Sequence, residues 1–257
     1  MTAALPRTPS LRLDGRRALI TGAGRGLGLA CAAALAEAGA EVWLAARSGA
    51  QVQAVAEALR ARGDRAHALV LDVTDTPPPW PKPWHNHGPF QVLVNNAGTN
   101  RPKPFEDVTE DDMDALLALN TKAAFFVART VASALKAAGL PCSIVQMSSQ
   151  MGHVGGVHRS IYCTTKHALE GMSKALALEL GPHGIRINTA CPTFIDTPMP
   201  HDWLATPASR DEVLSKIPLG RVGRVEDVMG AVLFLASDAA DLVTGSALMV
   251  DGGSTAA

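Results

Sequence analysis

The sequence predicts an α/β protein with one doubly wound parallel sheet that carries helices on both faces. Short apolar runs alternate along the chain with longer segments of helical spacing. The apolar runs are continuous, as in strands that are covered on both faces, and the first of them ends in glycines that open a helix. We expect a flexible tail over residues 1–10 and a single domain over residues 11–257, because no repeat or linker divides the chain.

Each predicted element is supported by its apolar pattern and its boundaries. The predicted strands are RALIT (17–21), EVWLAAR (41–47), RAHALVLDV (65–73), QVLVNN (91–96), CSIVQMSS (142–149), IRINTACP (185–192) and GSALMVDGG (245–253). Helices are predicted at 27–39, 48–63, 110–139, 160–184 and 224–238. Ser48 is a suitable first residue for the second helix, and Gly39 stands where a helix-terminating glycine is expected.

Composition limits the class of protein. The formal charge is −1 and no lysine/arginine run occurs, which argues against nucleic acid or an anionic membrane as a partner. No apolar run is long enough to span a bilayer, and the N-terminus lacks a signal pattern. Four scattered cysteines favour a reducing, cytoplasmic compartment. We expect no metal site, since His153 and His201 have no carboxylate or cysteine at ligand spacing.

A glycine-rich loop follows the first predicted strand. The segment TGAGRGLG, Thr21–Gly28, has the spacing T-G-x-x-x-G-x-G through Gly22, Gly26 and Gly28. Glycines let the backbone turn tightly and approach a pyrophosphate, while the next helix directs its free N–H groups toward that anion. An ordinary glycine-rich turn is the alternative. The position between a first strand and a helix favours dinucleotide binding.

The end of the second strand predicts which nicotinamide cofactor is used. A carboxylate there would bind the adenosine ribose of NAD, but the strand ends Ala45, Ala46, Arg47, Ser48. The guanidinium of Arg47 can pair with a 2′-phosphate, and Arg25 in the glycine loop can add a second positive charge. The alternative is that both are solvated surface arginines. We predict that NADP(H) is preferred over NAD(H).

Tyr162 and Lys166 stand four residues apart near the start of a predicted helix, in YCTTK. One helical turn places both side chains on the same face. An ammonium beside a phenol favours the phenolate, so we expect Lys166 to lower the pKa of Tyr162 toward the range in which it exchanges a proton with a carbonyl or alcohol. By itself the pair is a weak signal, since a half-buried tyrosine beside a surface lysine gives the same pattern.

With its surroundings, the pair makes the chain resemble the short-chain dehydrogenase/reductase family, in its single-domain branch of about this length. The resemblance runs from LDGRRALITGAGRGLG to VTGSALMVDGG and follows the family order of motifs. These are the glycine loop, Asp72–Val73, NNAG at Asn95–Gly98, LALN ending at Asn120, Ser148–Ser149, Tyr162 with Lys166, and CPTFIDTP at Cys191–Pro198. One departure is Thr193, where the family usually has glycine; its β-carbon narrows the space near the nicotinamide.

The resemblance implies a Rossmann fold and a role for each motif residue. Tyr162 exchanges the proton with the reacting oxygen, Lys166 holds the nicotinamide ribose, Ser149 hydrogen-bonds the substrate oxygen, and Asn120 anchors a water in a proton relay. The implied cofactor-binding residues are Gly22, Arg25, Gly26, Leu27, Gly28, Arg47, Ser48, Asp72, Val73, Asn96, Ala97, Gly98, Tyr162, Lys166, Pro192, Ile195 and Thr197.

The sequence predicts the type of reaction but does not identify a single substrate. We expect hydride transfer between NADP(H) and a small carbonyl or secondary alcohol. A 3-oxoacyl-carrier-protein reductase and a non-catalytic dinucleotide-binding regulator are the alternatives. Candidate residues for the wall of the substrate pocket are Met151, His153 and Val154, in the loop at 150–160, and Met199 and Trp203, in a predicted mobile lid at 194–218. Arg159 is predicted to be a solvated loop charge, and contact with an anionic substrate is the alternative. By resemblance we expect a homotetramer that pairs helices 109–139 and 160–181.

The segment 76–90, TPPPWPKPWHNHGPF, stands where a crossover helix is expected. Its prolines cannot continue a regular helix, so we predict an extended, polyproline-like path in which Trp80 and Trp84 cover that face of the sheet. At most one helical turn is predicted, near residues 85–88. A proline-motif docking site is the functional alternative.

Overall fold

The computed structural model describes residues 5–75, 88–197 and 207–256. The strands are β1 (Arg17–Thr21), β2 (Glu41–Ala46), β3 (Ala66–Val70), β4 (Val92–Asn95), β5 (Cys142–Met147), β6 (Ile185–Pro192) and β7 (Ala247–Val250). The α-helices are α1 (Gly26–Glu37), α2 (Gly49–Ala61), α3 (Glu110–Leu116), α4 (Ala124–Ala138), α5 (Ser160–Leu180), α6 (Pro207–Ser215) and α7 (Val225–Ala236). Residues 5–12 contain neither helix nor strand.

All seven strands form one parallel sheet in the order β3-β2-β1-β4-β5-β6-β7. This confirms the predicted fold class. The strand order reverses between β1 and β4, and in such sheets the ligand crevice opens beyond the carboxyl ends of the strands at that point. The glycine loop follows β1 and NNAG spans the end of β4, so both motifs lie at the crevice.

Two apolar layers cover the sheet. Helices α1, α2 and α7 pack on one face, where Leu35, Val52 and Val232 are fully buried. Helix α4 packs on the other face through Val127 and Val131, and α5 contributes Ala177. Both faces are therefore withdrawn from water, which explains the continuous apolar character of the strands.

The predicted long helix is one body from Glu110 to Ala138, interrupted by a π-helical segment at Leu117–Ala123. By length and composition alone, this helix is long and apolar enough to cross a membrane, although the sequence was predicted to contain no apolar run of that length. Its second half packs against the sheet, however, as the core helix of a folded domain does. π-helical turns are rare and frequent at functional sites, and this one contains Asn120.

Two predicted helix ends are confirmed, and one helix is additional. Ser48 is the N-cap residue of α2, as expected: its Oγ accepts a hydrogen bond from the N–H of Gln51 at 3.4 Å. Gly39 follows α1 with φ +100°, a conformation that favours glycine. Helix α6 is an addition within the segment predicted as a lid. The predicted extended path, with Trp80 and Trp84, falls within 76–87 and lies outside the described residues.

Candidate active site and dinucleotide cradle

A cavity of about 650 Å³ extends along the carboxyl ends of the strands. Of the predicted site residues, it is lined by Gly22, Arg25, Gly26, Leu27, Arg47, Ser48, Asp72, Val73, Asn96, Ala97, Gly98, Ser149, Tyr162, Lys166, Pro192, Ile195 and Thr197. Gly28 and Asn120 are not in the lining. The volume lies within the range of small-molecule sites. The glycine loop, the second-strand end and the tyrosine thus share one continuous space.

The glycine loop is held so tightly that side chains do not fit within it. A β-carbon on Gly28 would stand 2.2 Å from the carbonyl oxygen of Gly22, and one on Gly22 would stand 2.9 Å from Asn96 Nδ2. Gly22 and Gly26 also have φ of +65° and +56°. A backbone this close and free of β-carbons is the shape that a pyrophosphate requires, so the residues present fit a dinucleotide.

Hydrogen bonds with the residues that follow β4 fix the conformation of the glycine loop. Thr21 Oγ1 accepts hydrogen bonds from the backbone N–H groups of Asn96 (2.9 Å) and Ala97 (3.0 Å). Asn96 Nδ2 in turn donates to the carbonyl oxygens of Thr21 (3.0 Å) and Gly22 (3.3 Å). These bonds explain why NNAG and the glycine loop belong to one site: each fixes the backbone of the other.

The end of the cavity beside β2, where the adenine of the cofactor is predicted to lie, carries one carboxylate and two arginines. Arg47 and Ser48 follow β2, while Arg25 lies in the glycine loop. Asp72 Oδ1 accepts hydrogen bonds from Thr74 N (2.9 Å) and Thr74 Oγ1 (2.7 Å). Partial burial raises the pKa of Asp72, but the bonds from Thr74 and the charge of Arg47 outweigh it and lower the pKa overall. Asp72 is therefore ionised at neutral pH.

Ser149 and Tyr162, the predicted catalytic pair, line the same cavity. Ser149 Oγ accepts from the N–H of Met151 at 3.1 Å and donates to Pro192 O at 3.5 Å. Burial raises the pKa of Tyr162 to about 12, although a hydrogen bond with Ser149 acts to lower it. The prediction that Lys166 lowers the pKa of Tyr162 is therefore wrong for the protein without ligands, because the loss of hydration dominates.

Lys166 is buried behind the tyrosine. Its Nζ donates to Met147 O at 2.7 Å and lies 5.5 Å from the centroid of the Tyr162 ring. Burial lowers the pKa of Lys166 to about 8, against the opposing effects of Cys191 and Glu170. This lysine consequently changes protonation in a range that a catalytic proton relay can use.

Asn120 supports the cavity from behind. Its Nδ2 donates to Thr99 O (2.9 Å) and Thr165 Oγ1 (3.1 Å), and its Oδ1 accepts from Thr99 N (2.9 Å). The side chain thus joins the π-helical segment to α5 and to the loop that follows Gly98. The relay water implied by the family resemblance stays a prediction.

A cluster next to Lys166, in which Glu170 and Cys191 are buried and His153 is exposed, was not anticipated. His153 Nε2, Glu170 Oε1 and Cys191 Sγ lie 3.4–3.6 Å from one another. Glu170 Oε2 also accepts from Thr189 Oγ1 at 2.9 Å. The distances are compatible with a metal, but hydrogen bonds account for them, and the nearby ammonium of Lys166 disfavours a second cation. We interpret the cluster as an anchor for the Glu170 carboxylate.

The substrate wall differs in part from its prediction. Met151 lines the cavity, whereas His153 and Val154 are outside the lining; Met199 and Trp203 lie outside the described residues. Arg159 is 9% exposed and lines the cavity, so the prediction of a solvated loop charge is wrong. Its position three residues before Tyr162, directly before the first residue of α5, was the signal that could have revealed it.

Comparison with known proteins agrees with this geometry. A family model described as enoyl-(acyl carrier protein) reductase matches residues 22–255. D-erythrulose reductase of Gallus gallus is 40% identical over 252 residues, covering 95% of this chain and 98% of the relative. L-xylulose reductase of Bos taurus is 40% identical over 246 residues, with 95% and 98% coverage.

A solved structure supports the same relationship. The gluconate 5-dehydrogenase of Burkholderia cenocepacia J2315, in complex with NADP and tartrate, has a TM-score of 0.92 at 35% identity. The match covers 96% of this chain and 98% of that one. With the parallel sheet, the glycine loop and the tyrosine–lysine pair in one cavity, these matches show that the chain belongs to the short-chain dehydrogenase/reductase family of NAD(P)-dependent oxidoreductases.

Proposed function

We propose that the protein is an NADP(H)-dependent reductase of small polyhydroxylated ketones, reversible as an alcohol dehydrogenase. The observation that carries this proposal is the joining of Ser149, Tyr162 and Lys166 to the dinucleotide cradle in one cavity. The relatives are named for erythrulose and xylulose, and the solved neighbour for gluconate. All three names belong to small compounds with several hydroxyl groups.

Tyr162 is the general acid of the proposed reduction. When bound, NADPH supplies the hydride that adds to the carbonyl carbon. With its pKa raised to about 12, Tyr162 holds its proton at neutral pH and can give it to the carbonyl oxygen as negative charge develops there. The hydroxyl of Ser149 donates a hydrogen bond to the same oxygen.

Lys166 supports the tyrosine in this proposal. Its ammonium is oriented by Met147 O and lies beside the phenol, where it stabilises the phenolate left after proton transfer. Because its pKa is about 8, Lys166 can also return a proton to the tyrosine during turnover. Asn120 holds the wall through Thr99 and Thr165, and we propose that it anchors the relay water.

The preference for NADP(H) rests on Arg47 and Arg25. Both line the adenine end, and β2 ends in Ala46 without a carboxylate to accept from a ribose hydroxyl. A guanidinium matches the geometry of a phosphate. The neighbour crystallised with NADP is consistent with this preference.

Unpaired oxygens favour a substrate with several hydroxyl groups. Asn100, Gln150 and Thr193 line the cavity, and each has a buried side-chain oxygen without a hydrogen-bond partner in the described part of the chain. Buried acceptors of this kind carry a free-energy cost unless a ligand or water donates to them. The hydroxyl groups of a sugar-derived ketone would supply such donors after small movements of these side chains.

The test is turnover measured at the nicotinamide absorbance, with NADPH and NADH, on L-xylulose, erythrulose and acetoacetyl-CoA. We expect reduction of the ketoses with NADPH. Tyr162→Phe should lower kcat by at least about 100-fold, the usual contribution of a general acid, while its circular dichroism stays unchanged. Turnover of the thioester alone would favour the acyl-carrier-protein reaction, and tight NADPH binding without any turnover would favour a regulator.

We also propose a cytoplasmic homotetramer. Phe125 on α4 and Leu178 on α5 are 41% and 83% exposed, and exposed apolar groups on adjoining helices are typical of subunit contacts. Sedimentation equilibrium gives the mass directly; a monomer at micromolar concentration would contradict the assembly.

A further inference from the structure

A short segment after NNAG forms part of the cavity wall. This wall segment consists of Asn100, Arg101, Pro102 and Lys103. Asn100 and Pro102 line the cavity. Arg101 and Lys103 bond instead to Asp112, in the first turn of α3. Successive residues therefore face opposite ways, as they do in extended backbone, and the side of the segment away from the cavity is held by α3.

Asp112 holds the wall segment by charge-assisted hydrogen bonds. Its side chain is only 5% exposed. Oδ1 accepts from Arg101 Nη1 at 3.2 Å, and Oδ2 accepts from Lys103 Nζ. Oδ2 also accepts from Thr109 Oγ1 at 2.8 Å, which fixes the carboxylate at the start of α3. The bonds from Lys103 and Thr109 hold the pKa of Asp112 well below its usual range, so these bonds keep their ionic strength at neutral pH.

The wall segment is also tied to the loop that leads to the predicted catalytic tyrosine. Lys103 N donates to His158 O at 3.2 Å, and His158 stands four residues before Tyr162. On the other side of the segment, Thr99 is bonded through its N–H and its carbonyl oxygen to Asn120. The wall segment is therefore fixed at both ends, and one of these ends adjoins the loop predicted to form the substrate pocket.

Asn100 brings an unused hydrogen-bond acceptor to the cavity. Its Oδ1 is buried and has no hydrogen-bond partner in the described part of the chain. A buried acceptor carries a free-energy cost unless a ligand or water donates to it. In the proposed reaction the carbonyl oxygen of the substrate meets Ser149 and Tyr162. Asn100 is thus available to a hydroxyl group elsewhere on the substrate.

We propose that Asn100 determines specificity by accepting a hydrogen bond from a substrate hydroxyl away from the reacting carbonyl, and that Asp112 is the positioning residue that holds it there. This inference rests on the proposed function and adds to it the place where one hydroxyl group binds. Asp112 lies outside the cavity lining and acts only through the wall segment. Hydride and proton transfer at the carbonyl are unchanged by either residue.

The experiment compares erythrulose with 1-hydroxy-2-butanone, which has the same carbon chain and carbonyl position but lacks the hydroxyl groups at C3 and C4. Reduction by NADPH is followed at the nicotinamide absorbance. Stabilisation of the protein–NADP⁺ complex by each ketone is measured by thermal shift, which does not require turnover. The wild-type protein should favour erythrulose in both measurements. Asn100→Ala should reduce the kcat/KM preference about 3- to 10-fold, the value of one hydrogen bond, and leave the Kd for NADPH unchanged.

Two variants test the positioning role. Asp112→Asn removes the charge that binds Arg101 and Lys103, whereas Lys103→Gln removes one of these ties and keeps the N-cap of α3. Each should raise KM for erythrulose about 3- to 10-fold with little change in kcat, because only substrate binding is weakened. Asp111→Asn is the matched control: Asp111 also pairs with Arg101, but its side chain is 88% exposed, so both values should stay at the wild-type level.

A double variant separates positioning from general damage. If Lys103 acts through Asn100, then Asn100→Ala with Lys103→Gln should lose no more kcat/KM for erythrulose than Asn100→Ala alone, because contacts that act as a unit do not add. Independent structural effects would multiply, and they would lower the values for both ketones equally. Either of these results would overturn the positioning role.

The failure of this inference differs from the failure of the proposed function. Equal values for the two ketones in the wild-type protein, or an unchanged preference in Asn100→Ala, would overturn the role of Asn100 and leave the reductase intact. A raised Kd for NADPH in Asn100→Ala would also overturn it, since the contact would then be to the cofactor. If the wild-type protein reduces neither these ketones nor L-xylulose, the proposed function is wrong; an erythrulose thermal shift that is lost in Asn100→Ala would still support the hydroxyl contact.

Discussion

Replacing Gly28 with alanine should destabilise the fold and weaken the cofactor site together. The new β-carbon would stand 2.2 Å from Gly22 O and 2.6 Å from Asn96 Nδ2, although contacts below 3.0 Å are essentially never seen. The first of these atoms is backbone and the second is fixed by two hydrogen bonds. Relief therefore requires α1 to move away from the loop or the Asn96 bonds to break.

The expected cost follows from those two options. Overpacking costs about 1–3 kcal/mol, and breaking two hydrogen bonds at about 0.5–1.5 kcal/mol each also costs about 1–3 kcal/mol, so by either route the free energy of unfolding should fall by about 1–3 kcal/mol. At about 2–4 °C per kcal/mol for a chain of this size, the melting temperature should fall by about 2–12 °C. The Kd for NADPH should rise, since the displaced loop is the predicted pyrophosphate cradle.

The matched control is Gly230→Ala in α7. A β-carbon there meets nothing within 4 Å, and alanine is favoured over glycine in a helix by about 0.5–1 kcal/mol, so this variant should be slightly more stable. Urea unfolding and NADPH titration on both variants provide the comparison. If Gly28→Ala keeps wild-type stability and cofactor affinity, the tight-loop explanation is wrong.

Three further predictions concern charge. We expect kcat/KM for reduction to decline near pH 8, where Lys166 loses its proton. Glu170→Gln removes a carboxylate that raises the pKa of Lys166, so this decline should move to lower pH. Glu179→Gln, at an exposed position on the same helix, should leave the pH profile unchanged. Asp112→Asn should lower stability at pH 7, and this loss should shrink as the pH falls below about 4, where the unfolded carboxyl group protonates while Lys103 and Thr109 hold the pKa of Asp112 well below its usual value in the folded state; a loss that stays the same between pH 7 and pH 2.5 would contradict this. Arg47→Asp should reduce the preference for NADPH over NADH by about 10- to 100-fold, and an unchanged preference would refute the role of this arginine.

Local patterns were enough to predict the fold and the tight conformation of the glycine loop. Gly22, Gly26 and Gly28 are needed for backbone conformation and close approach, which depend on residue type and spacing within a few positions. The strands were recognisable because burial on both faces leaves long apolar runs. Their parallel arrangement followed from the alternation with helices.

Features that depend on distant contacts could not be read in this way. Glu170 meets Cys191 and His153 only after α5, β6 and the loop following Ser149 have packed together. The pKa of Tyr162 is governed by how completely the folded chain removes the phenol from water, which the spacing of YCTTK does not contain. Arg159 was misjudged for the same reason, since a loop position suggests solvent.

The π-helical turn at Leu117–Ala123 rotates the side chains that precede it relative to those that follow it in the helix from Glu110 to Ala138. A π-turn is equivalent to one extra residue, and one residue turns an α-helix by about 100°. The two halves can therefore satisfy different requirements: one keeps its apolar stripe on the sheet, while the other aims its side chains elsewhere. Asn120 lies within this turn, so the added residue lets one helix pack on the sheet and also place the Asn120 side chain against Thr99 and Thr165.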